Sequence, residues 1–407
     1  MRTVAFYRFA KEGLSMKLKV IPEDFVVKEI AYLPLKPSAP YRVYLLEKKG
    51  WNTVDLLLRL ARKYNLPYRL FSYGGKKDRH AHTFQYVSIK HPADLTTVDK
   101  NFSLKAIGYM DRPMGPDLIK GNAFDITLRA LDDEEVSRLV RQVDEVKEFG
   151  YPNYFDDQRF GSLDRERGFL AERLLKKHYK GALEIYLTAI YKEEKREAKE
   201  RKRLFRQHWG DWNTCLSYAK TTMEKRIFAL LTQKPKAFLE ALRLIPGEEL
   251  SLFFAAYQSF LWNELLRRIL KELKLELTAV PGAAGPYLFY RRLDEGQLLY
   301  LKTLELPLAA KRMDFADTLS ERLFKGILEE RGLKPSHFNL SKIRQAFFKS
   351  TPREAIVIPY DLKIEPPEAD DLYPGKQKLR LSFTLPRGSY GTMLIKRLTM
   401  PDTFLPR

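Results

Sequence analysis

The chain of 407 residues contains a single cysteine, Cys215. An intrachain disulfide is impossible and a cysteine-rich zinc site is excluded, which points to a reducing compartment. Histidine is scarce as well: six residues, His80, His82, His91, His178, His208 and His337, with no HExxH pair among them. Long apolar runs are missing. The uncharged stretch Leu250 to Asn263 includes Gln258 and Asn263 and falls short of the roughly 20 residues that span a bilayer. The opening MRTVAFYRFAKEGLSMKLKV interrupts its apolar stretches with Arg and Lys too often for a signal peptide, so a protein of the cytoplasm is expected. Acidic residues are the last shortage. Against 72 Lys plus Arg stand 52 Asp plus Glu, a formal net charge of +20 and a pI near 9.6. A surplus of that size calls for a polyanionic partner, and nucleic acid is the usual one. The charged surface of a thermophile enriches both signs and does not account for so lopsided a balance.

What is present is enough for a large core. Apolar residues make up 44% and aromatics 13%, which excludes disordered and fibrous classes. The length suggests two or three domains. Up to about residue 160 the pattern alternates strand and helix. Phe25–Ile30 and Tyr41–Leu46 are β-rich, and Asn52 or Thr53 caps a helix with Val54, Leu57, Leu58 and Ala61 at helical spacing. Thr83–Ile89 and Phe124–Leu128 read as strands, the latter with Phe124, Ile126 and Leu128 on one face. Asp132 and Glu135 form a capping box for a helix that Gly150 ends. Long helical segments follow. They include a charge-dense one at Tyr191–Gln207 with a Glu197–Arg201 pair, and an apolar one at Leu250–Leu266. Strand chemistry returns at Ala355–Ile364 and Leu379–Leu385. The simplest organisation is a helical domain inserted into a sheet domain.

Several segments could carry chemistry. Gly74-Gly-Lys-Lys-Asp-Arg-His80 places Asp78 in a basic, glycine-started turn ahead of a strand. A lone Asp beside lysines is more often a solvated turn residue. The functional alternative is a carboxylate kept ionised by positive charge and competent as a nucleophile. His80 and His82 could face a metal together, but no carboxylate-rich second cluster accompanies them, and flanking an RNA groove suits them better. In Tyr151–Gly161, aromatics interleaved with Asn153, Gln158 and Arg159 suit base stacking and phosphate contact, or a packed boundary turn. The adjacent Asp156 and Asp157 point apart on extended chain and make a poor acid/base pair. Leu385-Pro-Arg-Gly-Ser-Tyr390 is a strand followed by a glycine turn and a helix over Met393–Leu398, with Tyr390 able to stack on a base.

Together these segments resemble the TruD family of tRNA pseudouridine synthases. The family's Gly-x-Lys-Asp-x-x-Ala-x-Thr-x-Gln motif is met by Gly75, Lys77, Asp78, Ala81, Thr83 and Gln85. Pro22–Val27, Lys49-Gly-x-Asn-Thr53, Gly121-Asn-x-Phe124, Asn153–Phe155, Gln158–Gly161, Tyr257-Gln-Ser259 with Trp262-Asn263, and Leu385–Tyr390 follow in family order, so the resemblance runs from about residue 17 to 400. Asp156 replaces the family's usual Gly. Gly391 replaces its usual Ala, which is expected to loosen the turn that holds Tyr390.

The resemblance implies an α+β fold. A pseudouridine-synthase catalytic domain with a mixed, largely antiparallel sheet would occupy 1–162 and 346–407, and an inserted α/β TRUD domain 163–345, with RNA in the cleft between them. It also implies roles. Asp78 is the catalytic aspartate and Lys19 the cation that pairs with it. Phe25, Asn122 and Tyr390 hold the target uridine, Phe124 lies over the base, and Gln85 and Arg159 join the substrate-binding residues. The implied reaction converts a uridine of tRNA, typically uridine 13, to pseudouridine. It moves the base from N1 to C5 without gaining atoms, so no cofactor and no metal are expected. The expected partner is tRNA, with no membrane and with a monomeric chain.

Overall fold

A computed structural model describes residues 16–191 and 194–404. Residues 1–15, on which most of the signal-peptide reading rests, lie outside the described residues. The chain divides into two compact units. The first runs to Tyr151 and resumes over Val357–Pro401, and the second comprises Pro152–Ile356 and the residues from Asp402 onward. No helix among the described residues is long and apolar enough to cross a membrane.

The first unit is built on one mixed sheet. Its principal strands are β1 (Phe25–Ala31), β2 (Tyr41–Lys48), β3 (His82–Ile89), β4 (Thr97–Asp99), β5 (Phe102–Met110), β6 (Ile119–Leu131), β7 (Tyr360–Ile364) and β8 (Gln377–Pro386). They lie in the order β7-β8-β6-β1-β3-β2-β5-β4. Neighbours are antiparallel except β1 and β3, which run parallel with Val26 opposite His82 and Lys28 opposite Phe84. Alternation sets the faces: Phe25, Val27 and Glu29 of β1 are buried while Lys28 and Ile30 are exposed. On β6, Phe124, Ile126 and Leu128 turn inward as predicted. In register, Phe124 meets Val27 on one side and Phe383 on the other, and Asn122 meets Glu29 and Leu385.

Helix α1 (Thr53–Lys63) is capped by the Asn52 side chain, which accepts from the Asp55 amide at 2.8 Å. Its buried stripe is Thr53, Leu56, Leu57, Leu60 and Ala61, not Val54, Leu57, Leu58 and Ala61. Three consecutive leucines permit two phases of the stripe. Packing against Tyr44, Leu46, Val87 and Ile89 selects the phase with Leu56 and Leu60 inside. Helix α2 (Asp133–Phe149) carries the predicted Asp132–Glu135 capping box and ends at Gly150, whose φ of 66° suits glycine. Ala355–Ile364 is not one strand. Pro359 lacks the amide proton a ladder needs, and a bulge follows between Tyr360 and Lys363.

The second unit is mainly helical. Helix α3 (Arg196–Gln207) starts later than the predicted Tyr191. Its Arg201 pairs with Glu224 at 2.9 Å, not with Glu197. Glu224 is buried and already oriented by the Lys220 and Thr221 amides, whereas Glu197 is exposed. Helix α4 (Gly247–Glu272) is 26 residues long and buried nearly all round, including Tyr257, Trp262 and Leu266. Its polar residues act as pegs. Gln258 donates to the Ala309 and Lys349 carbonyls, Trp262 to the Leu306 carbonyl, and Asn263 makes two 2.9 Å bonds to the backbone of Phe155. Those bonds draw residues 152–162, which the sequence reading placed with the sheet, into the helical unit.

Candidate active site

The one parallel pairing in the first unit's sheet decides the site. Lys19 precedes β1 and Asp78 precedes β3. Two parallel neighbours begin at the same end of the sheet, so residues 59 apart in sequence meet there as an ion pair. Antiparallel pairing would put them at opposite ends.

Lys19 is buried and adopts a left-handed φ of 60°, a conformation an L-residue holds only when its surroundings impose it. The imposition is visible. The turn Pro22–Asp24 between Lys19 and Phe25 is anchored by Asp24, whose carboxylate accepts from the Ile21 amide at 3.0 Å and from Arg129 Nε at 2.8 Å. Arg129 also reaches Asp370 at 3.0 Å and Asp371 at 2.9 Å. The Lys19 ammonium lies 4.2 Å from the centroid of the Phe25 ring, a cation–π contact.

Asp78 is held at its other carboxylate oxygen by the His80 amide at 3.0 Å. Burial would push its carboxyl up, but the charge and hydrogen bond of Lys19, with the His80 amide, outweigh burial and hold it below the usual carboxylate range. A quarter of the Asp78 side chain stays exposed, enough to meet a substrate.

The turn carrying Asp78 is braced from several sides. A Cβ on Gly74 would lie 2.5 Å from Ile119 Cγ1, so only glycine lets the chain pass there. Thr53 accepts from the Lys77 amide at 2.9 Å and donates to Gln85 at 2.8 Å, and Gln85 donates to the Gly75 carbonyl at 3.3 Å. Gln85, predicted to bind substrate, is fully buried, with its carboxamide engaged by Thr53 and the Gly75 carbonyl. Lys77 pairs with Glu29 at 3.0 Å and donates to Asn122 Oδ1 at 2.5 Å. Because an ammonium only donates, the Asn122 oxygen must face Lys77, which leaves the amide NH2 pointing elsewhere.

Around this pair stand the predicted rings. Phe25 and Phe124 meet edge-on with centroids 6.1 Å apart, and Phe124 stacks on Phe383 at 5.0 Å. Half-buried Tyr390 caps α5 (Gly391–Leu398), its carbonyl accepting from the Met393 amide. A Cβ on Gly391 would come within 2.9 Å of the Phe124 ring. Glycine there admits the ring, a role that the expectation of a loosened turn did not anticipate. Lys19, Phe25, Asp78, Asn122 and Phe124 are thereby brought together, and Tyr390 adjoins Gly391, which packs on the Phe124 ring.

Other predicted residues lie elsewhere. Arg159 belongs to the second unit, exposed, with its guanidinium 5.6 Å from the Phe155 centroid. In that unit Asp157 accepts from the Tyr287 hydroxyl at 2.7 Å and the Ala283 amide at 2.8 Å. His82 bonds Glu47 at 2.8 Å, and His80 is exposed.

Sequence reasoning named Lys77 only as part of the family motif, without a role, and missed Lys48 and Glu29. Lys48 had a signal: it continues the buried phase of Tyr44 and Leu46 along β2, where a lysine is out of place. Glu29 is likewise a carboxylate in the inward phase of β1.

The family model described as tRNA pseudouridine synthase D (TruD) matches residues 3–283 and 301–398. A Methanococcus maripaludis protein named as a probable tRNA pseudouridine synthase D 1 is 34% identical over 390 residues, covering 94% of this chain and 99% of its own length. The tRNA pseudouridine synthase D of Leptospira interrogans is 32% identical over 396 residues, covering 94% and 96%. A TruD crystal structure from Methanosarcina mazei is 26% identical and superposes with a TM-score of 0.71 over 95% of this chain and 94% of that one.

Proposed function

Since the chain belongs to the TruD family of tRNA pseudouridine synthases, we propose that Asp78 is the carboxylate that performs its isomerisation and that uridine 13 of tRNA is the target. The observation that carries this reading is the Lys19–Asp78 ion pair beside the Phe25 ring, which keeps a partly exposed carboxylate ionised at neutral pH.

In the reaction the N1–C1′ bond of the target breaks, the freed uracil turns, and a C5–C1′ bond forms. C5 then loses its proton and N1 gains one, so atoms and electrons balance within the nucleotide. Asp78 serves by attacking C1′ or by assisting a glycal route, as the nucleophile of a retaining glycosidase acts at its sugar. The freed base must stay bound while it turns. Phe25, Phe124 and Tyr390 offer the apolar and aromatic walls for that, and the Asn122 NH2 donates to a uracil carbonyl. Reaching the bond requires flipping the nucleotide from its stack, at a cost of a few kcal/mol that phosphate contacts offset. Arg159 and the surplus of +20 supply such contacts. The residues read as holding the uridine all come from one unit of one chain, which supports a monomer; we read that unit as the catalytic domain and the other as the inserted TRUD domain of an enzyme acting on tRNA in the cytoplasm.

The test is site-resolved pseudouridine mapping on unmodified tRNA incubated with wild type and with Asp78→Asn. A single new pseudouridine at position 13, absent with the variant, is expected. Modification elsewhere would overturn the target. Activity surviving in Asp78→Asn would overturn the carboxylate.

A further inference from the structure

Lys48 is fully buried at the end of β2 and forms no ion pair with a described carboxylate. Its ammonium donates instead to three backbone carbonyls: Trp51 at 2.7 Å, Asp78 at 2.9 Å and Lys77 at 3.4 Å. The first belongs to the connection entering α1, and the other two to the turn that carries the catalytic aspartate. A buried, unpaired ammonium is costly to keep and survives only where its hydrogen bonds are needed. An ammonium has three hydrogens for these three carbonyls, whereas an amine has two.

We propose that Lys48 is a positioning residue whose protonated ammonium clamps the backbone of Lys77 and Asp78 to the start of α1 and so sets where the Asp78 carboxylate stands. This rests on the reading of Asp78 as catalytic. The clamp complements the brace on the far side of the turn, where Thr53 holds the Lys77 amide. Together they fix both faces of one peptide unit's neighbourhood, leaving the side chain of Asp78 to Lys19 and the His80 amide.

The clamp has a chemical signature. Burial pushes the Lys48 pKa down to about 8; Asp78 opposes the fall and Lys77 adds to it. Its strand partners Thr83 and Phe102 bring no charge. The clamp therefore loses its third donor as pH rises through about 8. Folding depresses this lysine, so above that pH the unfolded chain binds more protons, and the group's share of stability grows with pH while the clamp is lost. Alkaline loss of rate without unfolding separates positioning from a merely structural role.

The experiment measures single-turnover pseudouridine formation against pH for wild type, Lys48→Met and Asp78→Asn, with tRNA affinity and near-ultraviolet circular dichroism alongside. A displacement of about 1 Å at a reacting group costs on the order of 100-fold. Lys48→Met is expected to lose about that factor at pH 7 with tRNA affinity unchanged. Wild type is expected to show an alkaline limb near pH 8 with its dichroism intact, and the variant to lack that limb. A Lys48→Met rate equal to wild type, or a wild-type profile flat to about pH 10, overturns the clamp. If Lys48→Met does not fold, the wild-type profile decides alone. Retained activity in Asp78→Asn would instead overturn the reading beneath it, so the two failures are distinct.

Discussion

Replacing Lys19 with methionine removes one charge and keeps most of the side chain's length. The sulfur can still rest on the Phe25 ring now faced by the ammonium at 4.2 Å. What disappears is the opposing charge on Asp78. In the native protein burial raises that carboxyl, and Lys19 with the His80 amide more than reverses the effect. Without Lys19 the largest effects opposing burial are gone, leaving the His80 amide and weaker charge effects, and the carboxyl rises. A contacting opposite charge shifts a carboxylate by about 1–3 pH units, so the acid limb of single-turnover rate should rise by that amount. The rate deficit relative to wild type should widen as pH falls. Stability follows with a definite sign. A carboxylate depressed by folding contributes stability above its unfolded pKa and loses it as pH falls through the folded one. The variant's stability deficit should therefore be fully present near pH 7 and vanish in acid. Breaking a buried pair costs about 3–5 kcal/mol; with Asp78 a quarter exposed, about 2–3 is expected. The assay is pseudouridine formation from pH 5 to 8.5, with tRNA affinity by filter binding and denaturation at both pH extremes. A rate loss parallel to wild type at every pH, or an affinity that collapses while turnover survives, would refute the argument that Lys19 works by keeping Asp78 ionised.

Arg129→Ala strands Asp24 and Asp370, both buried, without their cation, and should cost about 3–5 kcal/mol in urea denaturation; a loss under about 1 would show that the network is ornamental. Gly74→Ala would set a methyl 2.5 Å from Ile119 Cγ1 and push the Asp78 turn aside. A stability loss of about 1–3 kcal/mol with turnover down about 10- to 100-fold is expected, and wild-type turnover would contradict the close approach. Binding of tRNA should weaken steeply with salt, by about a thousandfold between 50 and 200 mM if six or more phosphates are contacted. Affinity flat over that range would place the basic surplus away from the RNA.

Strand faces were legible wherever one face is buried and the other wet, as in β1 and along Phe124, Ile126 and Leu128. The hairpin Leu277–Val280 with Tyr287–Tyr290 was not, because all four residues of its second strand are buried and no alternation marks it. Residue types named Asp78, Lys19 and the rings through family resemblance, but they could not tell a ligand from a brace. Gln85 and Lys77 sit in the same motif as Asp78, and only the partners of their side chains, Thr53 and Gly75 for one and Glu29 and Asn122 for the other, separate their work from catalysis. Lys48 and Lys49 are adjacent and chemically identical. One is buried under the Asp78 turn and the other pairs with Glu23 at the surface, a distinction fixed by strand phase alone. The Glu197–Arg201 spacing was correct for a helix, yet a better-oriented Glu224 from another helix won the guanidinium.

The pairing of β6 with β8 has a consequence in time. Asp125 and Arg380, which pair across these strands, are 255 residues apart. At a synthesis rate of about 5–20 residues per second, β6 leaves the ribosome roughly 13–50 seconds before its neighbour exists. Throughout that interval β6 is an exposed edge bearing Phe124, Ile126 and Leu128, the kind of strand that recruits other chains. A nascent chain at this stage holds Asp78 and Lys19 but lacks Phe383 behind Phe124 and lacks Tyr390 altogether. On the proposed reading, competence to trap a uridine arrives only once Tyr390 is translated, and exposure of the β6 edge to misassembly precedes it.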